Sequence, residues 1–217
     1  MLNIRLIITK SNFYYLFFIP VILCCNNLVQ DVIERYPDGS YKYVKLYKKI
    51  NSNEKLIMEK SYYSNQQLKE LINYKDGIRQ GSYITYYQNG QINLKANFEN
   101  GLYHGEWFTY YKNGQIYYKE NYNSGQKNGE FIWYFYNGNI ESKMEFLDGK
   151  RHGQWIVYDS TSSKIKSIEN YLNDCLNGEK ITYYNNGQIH FKENYLMDER
   201  IEVFEYDKNG KKILKIK

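Results

Sequence analysis

The sequence predicts an all-β fold: an elongated, single-layer antiparallel sheet of tandem β-hairpins, with about 12 strands. Three observations predict it. Glycines at Gly81, Gly105, Gly129, Gly153 and Gly178 recur at intervals of 24, 24, 24 and 25 residues, and self-similarity at a fixed period of this size marks a repeat array. Asn-Gly pairs at Asn89-Gly90, Asn113-Gly114, Asn137-Gly138, Asn186-Gly187 and Asn209-Gly210 are flanked by aromatic and β-branched runs, which is a strong short-range hairpin signal. The chain holds 26 Tyr but only 2 Pro in 217 residues. Tyrosine packs well on a pleated, half-buried surface, and proline would remove ladder hydrogen bonds.

Residues 1–25 read as an export signal. Arg5 and Lys10 precede an uncharged apolar run of 11 residues, 13–23. Spanning a ~30 Å hydrocarbon core takes about 20 helical residues, so the run is too short to cross. Its length and basic start are those of a signal-peptide core. It ends in Cys24-Cys25-Asn26-Asn27, which resembles a bacterial lipoprotein signal. Ile22 stands three before Cys25 and the small Cys24 directly before it. The resemblance implies lipid attachment at Cys25, with Cys24 as the alternative, and a lipid-anchored location in a bacterial cell envelope. A plain signal peptide, leaving the protein secreted or periplasmic, or an uncleaved anchor are the other readings.

Residues 26–56 carry a degenerate hairpin at 34–47, ERYPDGSYKYVKLY. The repeat domain spans 57–217, with units near 57–80, 81–104, 105–128, 129–152, 153–177, 178–200 and 201–217. Each unit reads as two strands about an Asn-Gly turn, so Gly90, Gly114, Gly138, Gly187 and Gly210 are structural turn residues. The expected turn is type I′, with positive φ at both central positions. Gly77, Gly101, Gly125 and Gly149 lie four residues before the first four anchor glycines, in linkers. The unit near 153–177 has one extra residue in 159–164 and no turn glycine.

Column by column, the second strands share Ile92, Ile116, Ile140, Ile165 and Ile189, then Phe98, Tyr122, Phe146, Tyr171 and Tyr195 six residues later. An even separation predicts one face for both columns. Lys95, Lys119, Lys143 and Lys192 fall on the other. The first strands are apolar on both faces. Tyr86, Tyr110, Tyr134, Tyr158 and Tyr183 form one ladder; Tyr87, Tyr111, Phe135 and Tyr184 form its neighbour. The first of these ladders, with Trp107 and Trp155, is the candidate binding surface, because exposed aromatic patches mark interaction sites. The same rings serve equally as the structural ladder of a thin sheet.

The YY-x-NG core, the G-x-W/Y/F start and the G-x-x-x-G linker together resemble the MORN repeat variant found in many bacterial proteins, over 57–217. The resemblance implies a string of antiparallel hairpins in one twisted sheet, and it carries no catalytic residues. Some bacterial members are labelled antitoxins, which implies an alternative in which the protein neutralises a toxin by direct binding. Choline-binding repeats are also aromatic hairpins, but their Trp-Tyr-Tyr core is mostly lacking here, where only Trp107, Trp133 and Trp155 occur.

No arrangement for catalysis is legible. Recurrent acids such as Glu106, Glu120, Glu130 and Glu193 read as solvated strand positions without a partner in distinct surroundings. No Ser–His–Asp or Cys–His signature occurs, and the glycine linkers lack the Gly-Lys-Ser/Thr ending of a phosphate loop. No metal site is expected. His104 and His152 lie four strand spacings apart, ~19 Å, against Zn–N bonds of ~2 Å, and His190 reads as a polar-face residue. Cys175 reads as an exposed linker thiol. The net charge is +5, or +3 without Arg5 and Lys10, which gives no pointer to nucleic acid. The expectation is a non-enzymatic exported repeat protein without cofactor, a protein- or glycan-binding scaffold at the cell envelope. Its partners are a protein or an envelope polymer, and the membrane through the lipid anchor.

Overall fold

A computed structural model describes residues 5–7 and 27–216. Cys24, Cys25 and most of the predicted leader lie outside the described residues. Those residues are all β, with 20 strands and no helix. The number exceeds the about 12 expected for the hairpins alone. Hairpins continue upstream of residue 57, and the linkers add two-residue strands at Leu102–Tyr103, Gln126–Lys127 and Cys175–Leu176.

The chain divides into two compact units, Met1–Leu102 and Tyr103–Lys217. In the first, Leu28–Arg35, Tyr41–Ile50, Asn53–Tyr62, Leu68–Lys75, Ile78–Tyr86 and Ile92–Glu99 each pair antiparallel with the next. Arg5–Ile7 pairs with Val29 to Asp31. In the second, the same meander runs from Gly105–Tyr110 and Ile116–Asn123 through Gly129–Tyr134, Ile140–Leu147, Lys150–Tyr158 and Ile165–Leu172. It continues with Gly178–Tyr183, Ile189–Leu196, Glu199–Tyr206 and Lys212–Ile216. Each unit is an open, single-layer sheet.

The Asn-Gly turns differ from the expected type I′. Gly90 is at φ +85°, but Asn89 is not in the positive region. The Gly90 amide donates to the Tyr87 carbonyl at 2.9 Å, and the Tyr87 amide donates to the Gln91 carbonyl at 2.8 Å. This is a three-residue loop, a type I turn closed by a glycine bulge. Asparagine is used for its side chain rather than for positive φ: Asn89 Oδ1 accepts the Gln91 amide at 3.1 Å. Asn113, Asn137 and Asn186 repeat this local turn bond, as short polar side chains do. Type I′ geometry occurs instead in the linkers. Asp76-Gly77, Asn100-Gly101, Ser124-Gly125 and Asp148-Gly149 each have positive φ at two successive residues.

A second difference concerns the faces. One second-strand residue per hairpin is left out of register, as between Ile92 and Leu94, which oppose Tyr86 and Thr85. Tyr117, Glu141 and His190 occupy the same position in other hairpins. Such a β-bulge sets two residues against one and breaks the alternation. The Ile92 column therefore lies with Tyr86 and Lys95 on one face, the lysine face. The Phe98 column lies on the other, the aromatic face, with Tyr83, Trp107, Phe131 and Trp155. Most buried hydrophobic side chains among the described residues belong to the aromatic face, among them Ile72, Ala96 and Phe98 in the first unit and Phe131, Met144, Tyr171 and Val203 in the second.

Adjacent hairpins are also tied at their turns. Tyr36, Tyr63, Tyr111 and Tyr184 each donate a hydroxyl hydrogen bond to the carbonyl of Tyr62, Tyr86, Tyr134 and Tyr206, at 2.8, 2.8, 2.8 and 3.0 Å. These rings are turn clasps.

Candidate binding groove

The repeat supplies its own reference. Where the other hairpins place Thr85, Thr109, Val157 and Thr182, the hairpin at 129–152 places Trp133. Trp133 stands opposite Ser142, and the column of Ser142 is otherwise filled by Leu94, Tyr118, Ser167 and Phe191. Trp155 stands opposite Met144, and the column of Met144 holds Glu120, Glu169 and Glu193 elsewhere in this unit. A large ring facing a small floor leaves a trough on the aromatic face of the second unit, of about 520 Å³. Its floor is Ser142 and Met144 on Ile140–Leu147, and its walls are Trp133 and Trp155 from the flanking strands. Tyr117 and Glu141 stand at one end, and Phe146, Arg151 and Asp174 at the other.

The two ends differ electrostatically. Arg151 is fully engaged: its Nε lies 3.3 Å from Asp174 Oδ1, its Nη2 donates to the Asp174 carbonyl at 2.7 Å, and its guanidinium sits 4.3 Å from the Tyr171 ring centroid. The Arg151 backbone amide and guanidinium hold the Asp174 carboxyl below its ordinary range. Glu141 is half-buried, and no described residue hydrogen-bonds or ion-pairs with it. Other acids of this face do have cations. Glu120 meets Lys127 at 3.9 Å, Glu169 meets Lys180 at 2.9 Å and Glu193 meets Arg200 at 3.0 Å. Burial pushes the Glu120 carboxyl up. Burial, with a 2.7 Å hydrogen bond to Glu169, pushes the Tyr171 hydroxyl up to about 12.

The profile of the MORN repeat variant matches residues 58–76, 79–100, 103–124, 127–148 and 176–196. The chain carries MORN repeats. Such repeats are generally binding or scaffold modules without catalytic residues. No curated protein matches the chain at a significant level. Between the fourth and fifth matches lie residues 149–175, the irregular hairpin with the enlarged loop. There Asp159 Oδ1 accepts hydrogen bonds from the amides and hydroxyls of Thr161 and Ser162 in place of an Asn-Gly turn.

The MORN hairpins do not bring the predicted surface residues together. Trp155 lines the groove. Trp107, on the same face, packs edge-on against Tyr103 at 4.6 Å, and its Nε1 donates to Thr109 Oγ1 at 3.2 Å. Trp155 Nε1 is buried without a partner, because Val157 replaces the threonine two residues on. Tyr86, Tyr110, Tyr134, Tyr158 and Tyr183 are half-buried on the lysine face, opposite Ile92, Ile116, Ile140, Ile165 and Ile189. Tyr117, Ser142 and Met144 were not singled out from sequence, and Trp133 was not placed on the candidate surface. The signal that finds them is departure from a column rather than agreement with it.

The turn glycines Gly90, Gly114, Gly138, Gly187 and Gly210 have φ of +85°, +86°, +86°, +92° and +82°. His190 lies in a bulge, stacked 4.2 Å from Tyr184, rather than on a polar face. Cys175 is half-buried, and its hydrogen bond to the Asp198 carboxylate pushes the thiol up. Among the described residues no group of three or more His, Cys, Asp or Glu is placed to hold a metal.

Proposed function

We propose that this is an exported, lipid-anchored repeat protein that holds another protein at a bacterial cell envelope through the groove of its second unit. The groove carries the reading: it is the place where Trp133 and Met144 depart from their repeat columns and half-buried aromatic walls flank an open floor. Aromatic anchors around a concave floor are what binding surfaces use for energy. Export is supported by the basic start, the short apolar run and Cys24-Cys25. Cleavage before Cys25 removes Arg5–Ile7, so Leu28–Arg35 becomes an edge strand of the mature protein.

A photo-crosslinking residue at position Tyr117 is expected to give a discrete product in irradiated cells, and the same residue at Lys143, on the opposite face, none. Products from Lys143 alone move the binding surface to the lysine face. A captured partner that is toxic when expressed by itself assigns the antitoxin role. Cys24→Ser combined with Cys25→Ser is expected to release the protein from the membrane fraction. Unchanged mass and fractionation refute the anchor.

A further inference from the structure

We propose that the groove takes an arginine side chain from its protein partner, with the guanidinium laid on Trp133 and paired with Glu141. This rests on the groove being the partner-binding surface.

Three observations carry it. First, Glu141 occupies the bulge beside Ser142, which stands across from Trp133, and lines the groove with Trp133 and Tyr117, the residue that holds the same bulge position in the preceding hairpin. A carboxylate is thus set among aromatic rings, whose faces attract cations. Second, Glu141 is the charge of the groove left without a partner among the described residues, because Arg151 and Asp174 neutralise each other at 3.3 Å. The groove is therefore complementary to one positive charge. Third, the same fold builds this arrangement for itself. Arg151 lies 4.3 Å from the Tyr171 centroid and pairs with Asp174. Arg79 lies 5.4 Å from the Phe98 centroid, and Lys127 lies 5.1 Å from that of Phe146 and 3.9 Å from Glu120. At Trp133 and Glu141 the ring and the acid are present and the cation is supplied from outside. A planar guanidinium suits the site better than an ammonium, since it stacks on an indole while its fork meets both carboxylate oxygens.

The experiment uses the full-length protein and reads the indole N–H resonances of its 3 tryptophans during titration with N-acetyl-arginine methylamide. The Trp133 signal is expected to shift saturably while Trp107 stays still. The isosteric neutral N-acetyl-citrulline methylamide is expected to bind at least ~5-fold more weakly, and Glu141→Gln to lower the arginine affinity by a similar factor. Added salt is expected to weaken binding. Equal binding of citrulline and arginine, or an unchanged affinity in Glu141→Gln, overturns the cation proposal while leaving the groove as a binding surface. Tighter binding of tetramethylammonium, or of an N-acetylglucosamine trimer, assigns the groove to another occupant and also overturns it. If no probe moves Trp133, the arginine proposal fails, and the groove itself is judged by cross-linking from Tyr117.

Discussion

Tyr111→Phe tests the turn clasps with a single oxygen atom. The Tyr111 hydroxyl donates to the Tyr134 carbonyl at 2.8 Å in a part-buried setting. Its ring packs 4.7 Å from Tyr117 and 5.1 Å from Tyr136, contacts that phenylalanine keeps. The loss is therefore one hydrogen bond, worth ~1 kcal/mol net. For a domain of this size, that corresponds to a fall in Tm of about 2–4 °C. The reverse change is available one hairpin on. Phe135 makes the same backbone bonds as Tyr111, accepting from Gly138 and donating to Asn139, both at 2.8 Å, but it has no hydroxyl. Phe135→Tyr is expected to gain up to ~1 kcal/mol by reaching the Tyr158 carbonyl. Urea unfolding followed by tryptophan fluorescence measures both. If Tyr111→Phe lies within ~0.3 kcal/mol of the parent, or if Phe135→Tyr destabilises, the hydroxyls are not what ties adjacent turns.

Three further substitutions probe other parts of the sheet. Val157→Thr restores the acceptor that Trp107 has in Thr109 and is expected to stabilise by ~1 kcal/mol by satisfying Trp155 Nε1, read by denaturant unfolding; a loss of stability refutes the explanation of the orphaned indole. Gly153→Ala is expected to cost ~1–3 kcal/mol, because the residue sits at φ +79°, where a Cβ is strained; a neutral result in the same assay shows that the linker backbone adjusts freely. Glu120→Gln concerns pH. Burial raises the folded-state value of Glu120, so the native state binds more protons than the unfolded state above the ordinary carboxylate range. Stability falls as pH rises from that range through the raised value. The variant is expected to lose this slope and to be at least as stable as the parent near neutral pH; a steeper slope in the variant refutes the sign.

The period, the strand pairs and the two-faced pattern were legible because identical side chains return in register, and a sheet with one repeating hairpin has few other ways to align them. The bulge was not legible. Its position is filled by Asn93, Tyr117, Glu141, Lys166 and His190, which share no chemistry, so nothing in the column announces the break in alternation. Parity counted across that break put the Ile92 column on the wrong face. The turns were misassigned for a related reason. Asn-Gly suits type I′ by its backbone preference, but Asn89 Oδ1 satisfies the Gln91 amide only in the longer loop. The positive-φ pair was taken over by the linkers. The groove escaped notice because columns were read for their common residue, and Trp133 and Met144 are departures from theirs.

Those departures have a stability side that bears on function. A uniform repeat presents the same surface at every step and cannot single out one point for a ligand. The hairpin at 129–152 and its successor give up interactions that their neighbours keep. Phe135 lacks the hydroxyl with which Tyr111 and Tyr184 clasp the following turn. Asp159 stands where the next clasp would begin and bonds its own loop instead. Met144 replaces the acid that pairs with Lys127, Lys180 or Arg200 in the same column. Val157 leaves the Trp155 indole without an acceptor. Each omission costs ~1 kcal/mol or less, and they coincide around a single groove in the second unit. Local rules broken together at one place, with their compensation elsewhere in the sheet, are what a binding site built on a structural repeat requires.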